Sequence, residues 1–325
     1  MKISIIIPNY NNKETLNQCL DSIKNLKNPP FEVIVIDDYS TDGSEKIVKN
    51  PNKLIRLEQN GGPARARNIG AKNAKGDFLL FIDSDVLLEK NIIIEIEKIL
   101  KNKIKAIIQG VYSKRSKHPG ICNRFKDIYY NYYFNRNTGD FTKTLSTHCF
   151  LIEKELFLVK GGFNENIKNA SIEDAEFGKK IDNEKIFLGR NVKVTHLKNY
   201  NLTSLLKTDY KMAKNKIKSI IRQRHKGHLI NATNNKEDTI SMILEVIIVS
   251  LIPINLLLLI LKSNILKLSL IFLIIAYTLI NFSFFREFYK NRISITKIFF
   301  LNYIDKFVIS LGLICGLITY FFKRY

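Results

Sequence analysis

In the first 110 residues short apolar runs alternate with helix-length segments, and a polar cluster follows nearly every run. Residues 3–7, 31–36, 53–57, 77–82 and 106–110 read as strands. Residues 13–26, 42–49, 63–74 and 91–101 read as helices between them. Continuous apolar strands separated by helices predict an α/β domain with a mostly parallel sheet covered on both faces. Ligands of such sheets bind beyond the C-terminal ends of the strands. The polar clusters lie there: residues 8–12, 37–40, 60–62 and 83–85. Four clusters converging on one rim predict a site.

Each cluster carries its own chemistry. Asp37 and Asp38 follow the second strand, where acids can accept hydrogen bonds from a base or from ribose hydroxyls. Capping of the next helix accounts for Ser40–Asp42 but leaves the adjacent carboxylates to a ligand. Gly61-Gly62-Pro63 opens the third helical segment, and free N–H groups at a helix start favour an anion, with Arg65 and Arg67 adding charge. The segment matches neither a Walker loop nor GxGxxG. Asp83 and Asp85 flank one residue directly after a strand and can approach one hard cation, Mg²⁺ or Mn²⁺. Such a cation would neutralise a departing diphosphate. Glu173 and Asp174 read either as an acidic first turn of a helix or as a base that takes a proton. His196, after a strand at residues 192–195, reads equally as a structural histidine or as a ligand.

The chain is 325 residues long with a formal charge of +21, which invites a polyanionic partner. The charge is uneven: residues 1–197 carry a net +8, residues 198–236 a net +9 and residues 237–325 a net +4. The dense middle segment has helical period. Leu202, Leu205, Leu206, Ala213, Ile217, Ile220 and Ile221 share one face, with Lys207, Lys211, Lys214, Lys218, Arg222 and Lys226 mostly elsewhere. Beside it come three apolar stretches, residues 240–261, 265–285 and 298–322, each near the ~20 residues that span a bilayer. The expectation is a basic interfacial helix on an anionic membrane, followed by two or three spans. The loop with Arg286, Lys290, Arg292 and Lys297 should face the cytoplasm, which places the N-terminal domain there too. No nucleic-acid motif accompanies the charge, so no nucleic-acid partner is expected. Cys19, Cys122, Cys149 and Cys315 show no CxxC spacing, which argues against a zinc site or a disulfide framework.

The segments IIIPNYNN, VIVIDDYSTDGS, NGGPARARNIGAKNAKGDFLLFIDSD and GGFNE…IEDAEFG resemble, in order and spacing, family 2 glycosyltransferases of the GT-A fold. The resemblance covers about residues 1–200. It implies a Rossmann-like GT-A domain at residues 1–200; the charge and hydropathy add a basic juxtamembrane segment at 201–236 and a transmembrane region at 237–325. It implies an inverting enzyme that uses a divalent metal and a nucleotide diphosphate-sugar, of UDP or GDP type. On matching positions, Pro8, Asn9, Tyr10, Asp38 or Asp37, Gly62 and Arg67 line the nucleotide. Asp83 faces the ribose and metal side, and Asp85, Asp83 and His196 are the metal candidates. Asp174, with Glu173, is implied as the catalytic base. Combined with the tail, this predicts a multi-pass enzyme of the cell membrane acting on a polyprenyl phosphate, a lipid-linked saccharide or a glycolipid.

Two positions depart from the pattern: Tyr39 stands where the family often has Gly, and Val86 follows the acidic pair. They are the support for an alternative, a non-catalytic membrane assembly subunit with a degenerate transferase fold. No QxxRW block is present, so a single-addition enzyme is expected over a processive polymerase.

Overall fold

The computed structural model describes residues 1–49, 52–101, 107–136, 139–142, 145–167, 173–181, 184–224, 236–258 and 263–322. Two compact units are present, Met1–Asn199 and Tyr200–Tyr325.

The first unit opens with β1 (Ile3–Asn9), α1 (Lys13–Lys24), β2 (Glu32–Asp37), β3 (Lys53–Arg56), α2 (Pro63–Asn73), β4 (Phe78–Ile82), β5 (Val86–Leu88) and α3 (Ile92–Lys101). It continues with β6 (Ile107–Tyr112), α4 (Ile121–Asn135), β7 (Phe141–Thr142), β8 (Cys149–Glu153), α5 (Lys154–Val159), α6 (Glu173–Lys180) and β9 (Ile186–His196). The sheet runs β3-β2-β1-β4-β8-β6-β9-β5, with β7 on β9. β3, β2, β1 and β4 are parallel, as their unbroken apolar runs predict. Beyond β4 the pairing is mixed: β8 is antiparallel to β4 and β6, while β6 and β9 are parallel.

Alternate residues of the strands serve opposite faces. Ile5, Ile7, Val35, Leu80 and Ile82 pack with Leu16, Cys19 and Ile23 of α1 and Ile92 and Ile96 of α3. Ile6, Ile34, Ile36, Leu79 and Phe81 pack with Ala64, Ala66 and Ala71 of α2 and with Phe157, Phe163 and Phe177. Each fully buried large side chain contributes about 1.5–3 kcal/mol. Phe163 lies 5.4 Å from Phe81 and 4.9 Å from Phe177 between ring centroids. This aromatic stack ties the loop after α5, and α6 with it, to β4. The helix expected over residues 42–49 is a single 3₁₀ turn, Ser44–Ile47. Gly43 just before it is left-handed, and the Asp42 carboxylate caps locally by accepting from the Ser44 N–H at 3.0 Å. The first residue of the strand expected at 106–110 lies outside the described residues.

The second unit comprises α7 (Leu202–Arg224), α8 (Lys236–Leu258), α9 (Asn264–Ile280), α10 (Phe282–Lys290) and α11 (Ile295–Phe322). α7 packs along α11 at two glycines one turn apart. A Cβ on Gly312 would stand 2.6 Å from the Tyr210 carbonyl, and one on Gly316 would stand 2.6 Å from the Lys214 carbonyl. Only glycine permits that approach, and part of the apolar stripe of α7 is spent there, with Ala213 buried.

Three full spans are not what the described residues form. α11 alone is long and apolar enough to cross a membrane. The stretch at 265–285 breaks at Asn281, where α9 and α10 meet at 62°, and passes the same test only as a bent pair. α10 itself is one-sided: Phe284, Phe285 and Phe288 are buried, and Arg286, Glu287 and Lys290 supply the charge. The apolar part of α8, Ile243–Leu258, is shorter, and residues 259–261 of the first expected stretch lie outside the described residues. So do residues 225–235 of the basic segment.

Candidate active site

The C-terminal ends of β1, β2 and β4, together with the starts of α2 and α6, bring the acidic clusters to one edge of the sheet. Asp37 and Asp38, both buried, end β2. Asp37 accepts a hydrogen bond from the Asn9 amide at 3.1 Å and from the Ser40 N–H at 3.2 Å, with Arg56 3.6 Å away. Asp38 accepts from the Gly61 N–H at 2.7 Å and from the Gly62 N–H at 2.8 Å. The expectation that these adjacent carboxylates need a ligand to offset their charges is therefore corrected: the fold offsets both internally. The anion at the start of α2 is likewise the protein's own Asp38. Gly62 is left-handed in φ at +84°, which frees its N–H to turn toward that carboxylate.

Arg67, expected beside the nucleotide, is a bridge. It is buried in the first turns of α2, 5.8 Å from the Phe163 ring. One nitrogen donates to Asp83 at 2.8 Å and the other to Glu173 at 2.9 Å. Burial works against its charge, and the two carboxylates outweigh that and raise its pKa. Its Nε is buried without a hydrogen-bond partner. This guanidinium joins the acidic pair after β4 to the acidic start of α6. A fork of fixed donors suits two carboxylates in this way.

Asp83 and Asp85 are about one-third exposed, at 32% and 29% of their side chains. Burial pushes the Asp83 carboxyl up, assisted by Asp85 and opposed by Arg67. Burial also works on Asp85, but the His196 hydrogen bond and charge, with Lys198, hold its pKa below the usual carboxylate range. His196 ends β9 itself and lies beside β5, paired with Val86, with its Nε2 3.4 Å from the Asp85 carboxylate. This oxygen and imidazole pair fits a divalent cation as two of its ligands. Among the described residues no three His, Cys, Asp or Glu side chains converge to hold a metal unaided. The remaining ligands would be diphosphate oxygens and water, as Mg²⁺ usually keeps.

Asp174 follows Glu173 in the first turn of α6. Its carboxylate accepts from the Ala175 N–H at 2.7 Å. Burial, then the neighbouring Glu173 charge, push its pKa up to about 7. A carboxylate near neutrality is suited to taking and giving a proton. Pro8 and Asn9 close β1, and Tyr10 stands exposed beyond them.

Several groups behind the site carry no mark in the sequence. His148 stacks on Tyr112 at 3.9 Å between centroids, and Tyr112 in turn lies 5.4 Å from His196. Burial holds the His148 pKa down to about 3, so this ring is neutral packing. Asp127 of α4 is pushed up to about 6 by burial, against a hydrogen bond from Ser116. Only proximity in the fold reveals them. A cavity of about 470 Å³ opens away from the acidic edge, beside Asn68, Lys72, Gly161, Gly162 and Lys180.

Comparison with known proteins shows what this arrangement is similar to. Residues 4–158 match the family described as Glycosyl transferase family 2. The poly(ribitol-phosphate) beta-N-acetylglucosaminyltransferase TarS of Staphylococcus aureus is 44% identical over 98 residues, 28% of this chain and 17% of that protein. An uncharacterized glycosyltransferase of Haemophilus influenzae is 31% identical over 199 residues, 57% of this chain and 63% of that one. The chain thus matches less than two thirds of either relative's length. The mannosyltransferase PcManGT of Pyrobaculum calidifontis, solved with GDP-Man and Mn²⁺, aligns with a TM-score of 0.58 at 15% identity. That alignment covers 100% of this chain and 88% of that one, and it shows a shared fold.

Proposed function

Because residues 4–158 of this chain are a family 2 glycosyltransferase domain, we propose that the protein moves a sugar, with inversion, from a UDP- or GDP-type donor to an acceptor at a membrane. The observation that carries the reading is the Arg67 bridge, which couples Asp83 to Glu173 across two distant segments. It links the carboxylates expected beside a diphosphate to the helix start that holds the expected base.

In this reading the acceptor hydroxyl attacks the anomeric carbon from the side opposite the nucleotide. Asp174 takes the hydroxyl proton, and the nucleoside diphosphate leaves as the new glycosidic bond forms. Glu173 pairs with Arg67 and helps raise the Asp174 pKa. Pro8, Asn9 and Tyr10 line the nucleotide, and Asp37, Asp38 and Gly62 set the shape of its pocket. Asp85 and His196, with Asp83 beside them, would hold Mg²⁺ or Mn²⁺, which supplies charge neutralisation for the diphosphate.

The second unit supports membrane attachment. α11 is long and apolar enough for a span, and Ile265, Leu268, Phe272, Leu279 and Phe322 are all exposed. The basic α7 and the Arg286–Lys297 charges suit an anionic cytoplasmic surface. An acceptor carried on a lipid would then meet the donor at that surface. The staphylococcal relative's name favours a second acceptor class, a polyol-phosphate polymer.

The test is transfer from labelled UDP- and GDP-sugars in membranes holding the wild type, Asp85→Ala or Asp174→Ala, with lipid and polymer fractions counted separately. Loss of transfer in both variants is expected. Unchanged transfer in both would sink the mechanism.

A further inference from the structure

Tyr39 occupies a backbone conformation that its side chain does not favour. Its φ is +68°, in the left-handed region where the Cβ of an aromatic residue crowds the backbone. Glycine would take the same conformation freely. The ring gains little from the fold in exchange, since the residue is 48% exposed. A strained position whose side chain stays about half exposed points to a use outside the fold.

The surrounding chain holds that conformation in place. On one side, the Asp38 N–H donates to the Asn9 carbonyl at 2.8 Å, and its carboxylate is fixed by Gly61 and Gly62. On the other, the Ser40 N–H donates to Asp37 at 3.2 Å, and the Ser40 carbonyl accepts from Arg56 at 3.1 Å. Residues 38 and 40 are thus anchored and residue 39 is pushed outward between them.

The loop after β1 is laced to the same place. The Ser40 hydroxyl accepts from the Asn9 amide at 3.2 Å and from the Asn11 N–H at 2.9 Å. The Thr41 N–H donates to the Asn11 side chain at 2.8 Å. Asn11 is itself left-handed, with φ at +51°. Just before it stands Tyr10, 49% exposed. Of the two cross-linked loops, one presents Tyr10 beside the left-handed Asn11 and the other presents Tyr39, itself left-handed. At their root the Asn9 amide oxygen is buried and lacks a hydrogen-bond partner.

We propose that Tyr39 is a donor-binding residue: its ring packs on the face of the nucleobase at the Tyr10 side of the rim. This rests on the transferase reading above. Aromatic faces hold planar bases without demanding a particular one. The ligand class is accordingly a nucleoside diphosphate, and the part recognised is the base.

The proposal separates binding from folding, because the strain and the stacking pull in opposite directions. Tyr39→Gly relieves the backbone and removes the ring. Tyr39→Phe keeps both. The full chain in detergent is titrated with UDP, GDP and pyrophosphate in the presence of Mn²⁺, and its thermal midpoint is read alongside. For Tyr39→Gly the expected result is a nucleotide affinity weaker by about tenfold or more. Its pyrophosphate affinity is expected unchanged and its thermal midpoint equal or higher. Tyr39→Phe should bind like the wild type. The proposal is overturned if Tyr39→Gly binds its nucleotide as tightly as the wild type. It is equally overturned if pyrophosphate binding falls in step, since the ring would then act on the loop and not on the base. If the wild type itself binds neither UDP nor GDP, the transferase reading fails first and takes this proposal with it.

Discussion

The two units of this chain use polar and apolar side chains in opposite ways. In Met1–Asn199 the interior is aliphatic and aromatic, and the acids gather at one edge of the sheet, where Asp83 and Asp85 remain about one-third exposed. In Tyr200–Tyr325 large apolar residues face outward on α8, α9 and α11, and polar groups lie inside. Lys306 pairs with Glu245 at 2.8 Å, both largely buried. Asn302 donates to the Tyr277 hydroxyl at 2.7 Å and to Asn281 at 3.2 Å. The first pattern is that of an α/β domain with an apolar core and its acids at one edge. The second suits helices whose outer faces meet lipid and whose inner faces are fastened by polar contacts.

The largest expected effect on this contrast comes from the buried Arg67 guanidinium of the first unit. Arg67→Met removes the guanidinium that pairs with both Glu173 and Asp83. Losing one member of a buried ion cluster costs about 3–5 kcal/mol. A drop of several degrees in thermal midpoint, together with loss of transfer, is the expected pair of readings. Full stability would show that the bridge is not part of the fold.

The matching change in the second unit is Lys306→Met, which strands Glu245. It should destabilise the protein in detergent by up to about 3–5 kcal/mol. The double variant Glu245→Leu/Lys306→Met should recover most of the loss, because the pair fastens helices and performs no chemistry. A double variant as unstable as the single one would break the comparison. The smallest effect belongs to the outer face. Leu268→Gln, on exposed α9, should change stability in detergent by less than about 0.5 kcal/mol. The same change should lower the fraction of protein recovered with anionic vesicles in flotation.

Much of this organisation is legible in the sequence where a single physical rule dominates. β1, β2, β4, α1, α2 and α3 follow from apolar runs and helical period. The acids at 37–38 and 83–85 announce themselves by standing directly after strands. β7, β8 and β9 and the helices between them are harder, because their pairing is mixed and set by partners far along the chain. The Arg67 bridge spans 16 residues to Asp83 and 106 to Glu173, and no local pattern encodes it. Asp37 and Asp38 are legible as acids that end a strand, but their bonds to Asn9, Gly61 and Gly62 come from segments no local pattern connects. The stretch at 265–285 looks like one span, since hydropathy averages over the break at Asn281.

In the proposed function the acidic edge of the first unit transfers sugar with Asp174 as base. The most direct measurement is the pH dependence of transfer by the wild type beside the rate of Asp174→Asn. The Asp174 pKa stands above its usual value, at about 7, and a base acts only when deprotonated. Activity should therefore rise with pH through an acidic limb near 7 and level off above it. Asp174→Asn should lose transfer by about 10²–10⁴-fold while still binding the nucleotide. A variant that transfers at the wild-type rate, with the same acidic limb, would contradict the account.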